Sequence, residues 1–232
     1  MTDATTPTGA GSPALEDGEG VADVRREQIL RAALGVIAER GFFDARIADV
    51  AEGAGVSPAL VIYYFKTKDR LLTDAMRFAE DAWFEAGKRR IKESATAQGR
   101  LRELVAMACL PDPDSDLPES WTVWLDLWAR AVRHHEVARV REEFDQRWRD
   151  LIQEVVSDGQ AAGELARTDP AGFAIALSAL LDGLAIQIAL DDQVVTARRG
   201  FEIGMAVASK LLGFEWTPAQ LELDLHDGEG PG

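Results

Sequence analysis

Residues 55–68 read GVSPALVIYYFKTK. Gly55 can take the positive φ that ends a helix in a tight turn. Ser57 offers a hydroxyl to free amide groups, and Pro58 suits a first helical position because it sacrifices no hydrogen bond there. A short helix over Pro58–Phe65 follows. Upstream, Ile47, Val50, Ala51 and Ala54 recur at i, i+3, i+4 and i+7, which predicts another short helix with one apolar stripe. Two short helices joined by a glycine-containing turn make a helix-turn-helix, whose second helix enters the major groove of DNA. On that helix Val61 and Phe65, four apart, pack inward against Ile47, Val50 and Ala51. Ser57, Pro58, Ala59, Leu60 and Ile62 are left nearer the groove, with Tyr63, Tyr64, Lys66 and Lys68 nearer the phosphates, to which phenols and ammonium groups donate. Taken singly, either tyrosine fits a core or rim aromatic as well; the helical setting favours the contact with DNA.

The pattern extends outward as helices. Ile29, Leu30, Ala33, Leu34, Val36 and Ile37 predict helix one over 24–40, stopped by Gly41. Lys68 begins a longer amphipathic helix with Leu71, Leu72, Ala75, Met76, Trp83 and Phe84 on it, fading near Glu93. Five more are expected, over 97–109, 119–132, 137–162, 171–190 and 196–212. The loop PDPDSDLP at 111–118 separates the first two, its three prolines and three aspartates barring regular structure. No strand pattern and no repeat appear. The fold class is therefore all-α with about nine helices. Composition adds a disordered arm over 1–20, rich in Thr, Gly, Pro and Asp, and a loose acidic tail over 215–232, leaving a helix-turn-helix domain at 21–67 and a larger helical domain at 68–214.

The net charge of −15 excludes a general nucleic-acid coat, which needs a positive surface. Its distribution matters more. Residues 1–20 carry 0 basic and 4 acidic groups, residues 21–93 carry 13 and 12, and residues 94–232 carry 12 and 24. The segment with the helix-turn-helix is near neutral and leaves room for local contacts to phosphate. The opening residues have neither a basic n-region nor an apolar h-region, and no run reads as a membrane span, so a cytoplasmic protein with no membrane partner is expected. Cys109, the single cysteine, has no partner for a disulfide or a Cys-based metal site. His134 and His135 point about 100° apart on a helix and cannot both grip one ion, so no metal is expected. No nucleophile–base set and no phosphate-cradling glycine loop is present, which argues against an enzyme and against a cofactor. The run RVREEFDQRWRD, with Arg139 and Glu143 four apart, reads as a solvated helix face.

The stretch ILRAALGVIAERGFFDARIADVAEGAGVSPALVIYYFKTKDRLL at residues 29–72, with an AxxxGVS turn at 51–57 and the ending YYFKTK, resembles the TetR (tetracycline-repressor) family. The resemblance implies an all-helical homodimer, with a three-helix DNA-binding domain joined to a larger domain that binds a small effector and dimerises. Two positions depart from the family's pattern. Arg46 stands where a Thr or Ser usually caps helix two and touches a phosphate, though a guanidinium can still reach one, and Ile62 stands where many members have Tyr. The second half, through WTVWLDLWARAVRHHEVARVREEFDQRWRDLI (121–152) and LLDGLAIQIALDD (180–192), resembles the subgroup of choline-responsive repressors of betaine synthesis. A shared scaffold does not fix the effector. Trp121, Trp124 and Trp128 at i, i+3 and i+7, with Asp126 on the same helix, form an aromatic face beside a carboxylate, which suits a cationic or amphipathic amine. Met76 and Trp83 are expected on the cavity side of helix four. The tryptophan stripe fits a plain core more readily, since aromatic stripes at helical spacing usually are core. On the last two helices, small residues interleaved with Leu177, Leu180, Leu184, Ile188, Gly204 and Leu211 predict a four-helix dimer interface, with an intrachain core as the alternative. A dimeric sensor or adaptor without DNA binding is the rival to a repressor that binds a palindromic operator.

Overall fold

The structure, a computed structural model, describes residues 13–111 and 121–218, with side chains over 22–111 and 123–218. The described residues form helices and no strand. They divide into two compact units, Met1–Ala75 and Met76–Gly232.

In the first unit α1 spans Pro13–Asp44, α2 Ile47–Gly53 and α3 Pro58–Phe65. Gly41, with φ 76° and ψ 162°, breaks α1 where the stop was expected. The start differs. Residues 13–20, assigned by composition to an arm, are the first turns of α1, where Pro13 suits a helix start. Residues 1–12 lie outside the described residues. Ile29, Ala33, Ile37, Val50, Val61 and Phe65 bury together as the small core. Helix α4, Lys68–Glu93, begins in this unit with Leu71, Leu72 and Ala75 buried and continues into the second.

The second unit adds α5 (Ala97–Cys109), α6 (Trp121–Ala131), α7 (His135–Ala161), α8 (Pro170–Ala189) and α9 (Ala197–Leu212). Caps set several starts: the hydroxyls of Thr96 and Thr196 accept from the amides of Gly99 and Arg199, and Asp169 caps α8 ahead of Pro170. Gly213, at φ 70°, ends α9 in the left-handed conformation. Helix α8 packs against α5, α6, α7 and α9, which is why it is apolar on most sides. By length and composition it could cross a membrane, with a mean hydropathy of 1.8. That corrects the expectation that no run is apolar enough, and its inner stripe is part of this unit's core.

The same stripe takes Leu177, Leu184 and Gly204 out of the expected dimer surface. Leu177 and Leu184 are buried in the chain's own core, and Gly204 is buried where α9 crosses α5 and α8. Leu180 and Ile188 flank that core, and Leu211 is exposed. Leucines at a spacing of three and four mark the inner stripe. The outward one holds Ile175, Ala176, Ala179 and Gly183. A Cβ on Gly204 would lie 2.7 Å from Val105 Cγ1 and 3.1 Å from Leu181 Cδ2. Gly204→Ala is therefore expected to destabilise the protein by about 1–3 kcal/mol in urea unfolding, against the gain alanine normally brings to a helix.

Candidate functional site

The helix-turn-helix is built by local chemistry. The amide of Val56 donates to the Ala51 carbonyl at 2.9 Å, Gly55 holds φ 61°, and Ser57 Oγ accepts from the Leu60 amide at 3.2 Å. Gln28 Nε2 reaches from α1 to the Ala54 carbonyl at 2.8 Å and fixes the turn from behind. With Val61 and Phe65 turned inward, α3 presents Ser57, Pro58, Ala59, Ile62 and Tyr63 outward, Ile62 being 48% and Tyr63 68% exposed. Leu60 and Tyr64 are half-buried, and Tyr64 meets Tyr63 edge to face with centroids 5.5 Å apart.

The cations around this face differ in how they are held. Lys66 caps α3 at φ 65°, and its ammonium lies 2.8 Å from the Tyr63 carbonyl and 5.1 Å from the Tyr63 ring centroid. Lys68 Nζ donates to the Phe43 carbonyl at 2.7 Å, tying the start of α4 to the end of α1. Lys68 thus anchors this unit and keeps two donors for a phosphate. Arg46 is exposed at the N-cap of α2 and makes no capping bond, as its side chain requires. Thr67, which the sequence reading passed over, accepts from the Arg70 amide at 3.2 Å and starts α4.

A second site lies inside the Met76–Gly232 unit. Two adjoining hollows share Glu80, Trp83, Trp124 and Phe144. Met76, Ala79 and Val123 line one, while Trp128, Asp145, Trp148 and Asp182 line the other, whose volume is about 50 Å³. The rings make a continuous wall: Trp83 stands 5.4 Å from Trp148, and Trp124 stands 5.6 Å from Phe144 and 6.3 Å from Trp128. Of the ligand residues expected from sequence, Met76, Trp83, Trp124 and Trp128 are brought together here. Asp126 is not on the lining, and the Trp121 side chain lies outside the described ones. Glu80, Phe144, Asp145, Trp148 and Asp182 were missed. Phe144 and Trp148 had a signal, an i, i+4 aromatic pair inside RVREEFDQRWRD, but the charges around them hid it.

Three carboxyls edge the aromatic wall. Glu80 is 4% exposed, and no hydrogen bond or ion pair among the described residues reaches its carboxyl. Burial pushes its pKa up to about 8, with Asp81 and Asp145 adding to the rise and Arg147 opposing it. Arg147 is drawn away, 2.6 Å from Asp81 and over the Phe84 ring at 4.3 Å. Burial also raises Asp145, although Arg141 lies 3.2 Å away, and burial followed by the Asp145 charge raises Asp182 to about 6. Aromatic faces beside partly dehydrated carboxyls bind organic cations, and a quaternary ammonium, having no N–H, needs little else.

Residues 29–75 match the family described as bacterial regulatory proteins, tetR family, and residues 97–213 match the BetI-type transcriptional repressor, C-terminal. The chain belongs to the TetR family. It is similar to the HTH-type transcriptional regulator BetI of Cronobacter sakazakii, at 30% identity over 174 residues covering 75% of this chain and 84% of that one. It is also similar to BetI of Burkholderia cenocepacia, at 30% over 185 residues, or 79% and 92% of the two chains. Among solved structures, a protein from Saccharomonospora viridis in complex with choline is 29% identical with a TM-score of 0.71, covering 80% of this chain and 95% of that one. A TetR transcription regulator from Haloarcula marismortui, at 21% identity and a TM-score of 0.70 over 82% and 97% of the chains, shares the fold. This TetR-family chain, with its BetI-type C-terminal domain, is a transcriptional regulator and not an enzyme. Regulators of the family bind DNA operators and small-molecule effectors and are dimeric.

Proposed function

We propose that this TetR-family repressor binds a palindromic operator as a dimer and is released by a small quaternary ammonium cation of the choline type. The observation that carries the effector class is the wall of Trp83, Trp124 and Trp148 closed by the buried Glu80, which has no hydrogen-bond or ion-pair partner among the described residues. The choline bound to the similar Saccharomonospora viridis protein supports it. At about 50 Å³ the hollow is far below the roughly 300–1,000 Å³ of small-molecule sites, so the effector opens it and favours a different arrangement of the walls. Only such differential affinity can shift the equilibrium away from DNA.

Helix α4 is the lever. Lys68 pins its start to Phe43 in the DNA-binding unit, and Glu80 and Trp83 sit on the same helix roughly 18 Å or more along its axis. The outward stripe of α8, where Ile175 is 61% exposed, joins Ile203, Ala206, Val207 and Leu211 of α9 as the dimer surface. Dimerisation sets the two copies of α3 about 34–36 Å apart for successive major grooves, with Arg46, Ser57, Tyr63, Tyr64, Lys66 and Lys68 on phosphates and Pro58, Ala59, Leu60 and Ile62 facing base edges. Acting on chromosomal DNA, the protein works in the cytoplasm.

Fluorescence anisotropy on DNA from upstream of the protein's own gene tests this reading. Saturation at two protomers per site, a preference over scrambled DNA of about a thousandfold, and release by choline are expected. Binding that ignores sequence would sink the operator reading, and sequence-specific binding indifferent to choline would sink the effector reading.

A further inference from the structure

The aromatic cage holds a carboxyl with no hydrogen-bond or ion-pair partner among the described residues, and three observations bear on what it does there. Glu80 lines both hollows, is nearly removed from water, and receives no hydrogen bond among the described residues. The cation nearest in effect, Arg147, is committed to Asp81. Two more acidic groups share the cavity: Asp145, paired with Arg141, and Asp182 from α8, with Arg149 acting on both. The lining from α5 and α6 is Ala108, Val123, Trp124 and Trp128 and brings no compensating charge. An isolated carboxylate among tryptophans and other acids is strongly disfavoured, whereas the same carboxylate beside a permanent cation is favoured.

We propose that Glu80 is the specificity-determining counter-ion of the effector and that it exchanges its own proton for the bound cation. The inference rests on the effector reading given above. In the empty protein Glu80 is a neutral acid. When a quaternary ammonium enters, the Glu80 O–H bond breaks, the proton leaves to buffer, and the carboxylate remains as partner to the cation, so charge balances with no other reactant. A neutral molecule of the same shape gains nothing from this exchange, and the site rejects it for that reason. Response to the effector is thereby tied to pH. The wild-type carboxyl, whose ionisation centres on about pH 8 in the empty protein, makes binding strengthen as pH rises towards that value.

The test compares choline with 3,3-dimethylbutan-1-ol, its uncharged isostere, on the full-length protein and on Glu80→Gln, by titration calorimetry. Wild-type affinity for choline is expected to rise about tenfold per pH unit between about pH 6 and pH 7.5 and to level off above about pH 8.5. Close to one proton per choline should be released near pH 6.5, read from buffers of different ionisation enthalpy. Above about pH 7, where Asp182 is already ionised, Glu80→Gln should bind choline with a flat pH profile, release no proton, and lose most of the preference for choline over the alcohol. The amide is nearly isosteric and removes a buried ionisable group, so the variant should fold; identical circular dichroism checks that. Asp182, which burial raises to about 6, also lines the cavity, and its contribution at the acid end of the range would survive in Glu80→Gln. Choline binding to wild type without pH dependence or proton release, or a pH profile unchanged in Glu80→Gln, would overturn the exchange and leave the effector reading standing. No choline binding by the wild type at any pH would overturn both.

Discussion

Ile62→Glu is expected to weaken operator binding at least a hundredfold, with helix content and oligomeric state unchanged. The residue lies on the outward side of α3, half exposed, while the neighbouring Val61 and Phe65 hold the helix to its unit. Substitution therefore leaves the small core intact. With α3 as the proposed reading helix, a carboxylate at this position would meet the like charge of the phosphates and forfeit an apolar contact such as that to a thymine methyl. Lost base contacts cost about 1–3 kcal/mol each, and the dimer carries the change twice, so a hundredfold is a modest sum. Anisotropy on the operator reads the loss, while circular dichroism and size-exclusion chromatography read the fold. Wild-type affinity in this variant would place the reading face somewhere other than α3.

That face was legible in the sequence because it is made by neighbours in the chain. Gly55, Ser57 and Pro58 set the turn and the cap within a few residues, and the inward pair Val61 and Phe65 follows from helical spacing. Lys68 shows the limit of such reasoning. Its ammonium is bonded to Phe43, a partner 25 positions away that no local pattern announces.

The cavity was legible only in part for the same reason. Its walls come from α4, α5, α6, α7 and α8, and spacing within one helix says which residues share a stripe without saying which stripe faces which. Trp124 and Trp128 were visible as a stripe. Trp148 and Phe144 were masked by arginines and acids that turn out to pair on the outside, Arg77 with Glu143 and Arg147 with Asp81. Glu80 looked like the polar side of an amphipathic helix. On α8 spacing misled in the opposite sense: Leu177 and Leu184 were read as interchain contacts, yet the chain buries both for itself, while Ile175, Ala176 and Ala179 are exposed.

Trp124→Ala should leave operator binding at its wild-type strength and raise the choline concentration needed for release at least thirtyfold. Trp124 lines both hollows and touches Trp128 and Phe144, so its removal opens the wall at its middle. A desolvated cation on a tryptophan face is worth about 2 kcal/mol or more, which alone corresponds to the thirtyfold, before the apolar area of the ring is counted. Trp124 is half-buried where Trp148 is buried, so the variant probes the cage with less damage to the core than Trp148→Ala would cause. Trp124→Phe keeps a weaker π face and should recover part of the response, a gradation that a simple loss of stability would not produce. Release of both variants at wild-type choline concentrations would mean that the effector acts elsewhere. The predicted outcome instead is a repressor locked on its operator, and it would separate the two halves of the mechanism: α3 holds DNA without help from the cage, and the cage is needed only to let go.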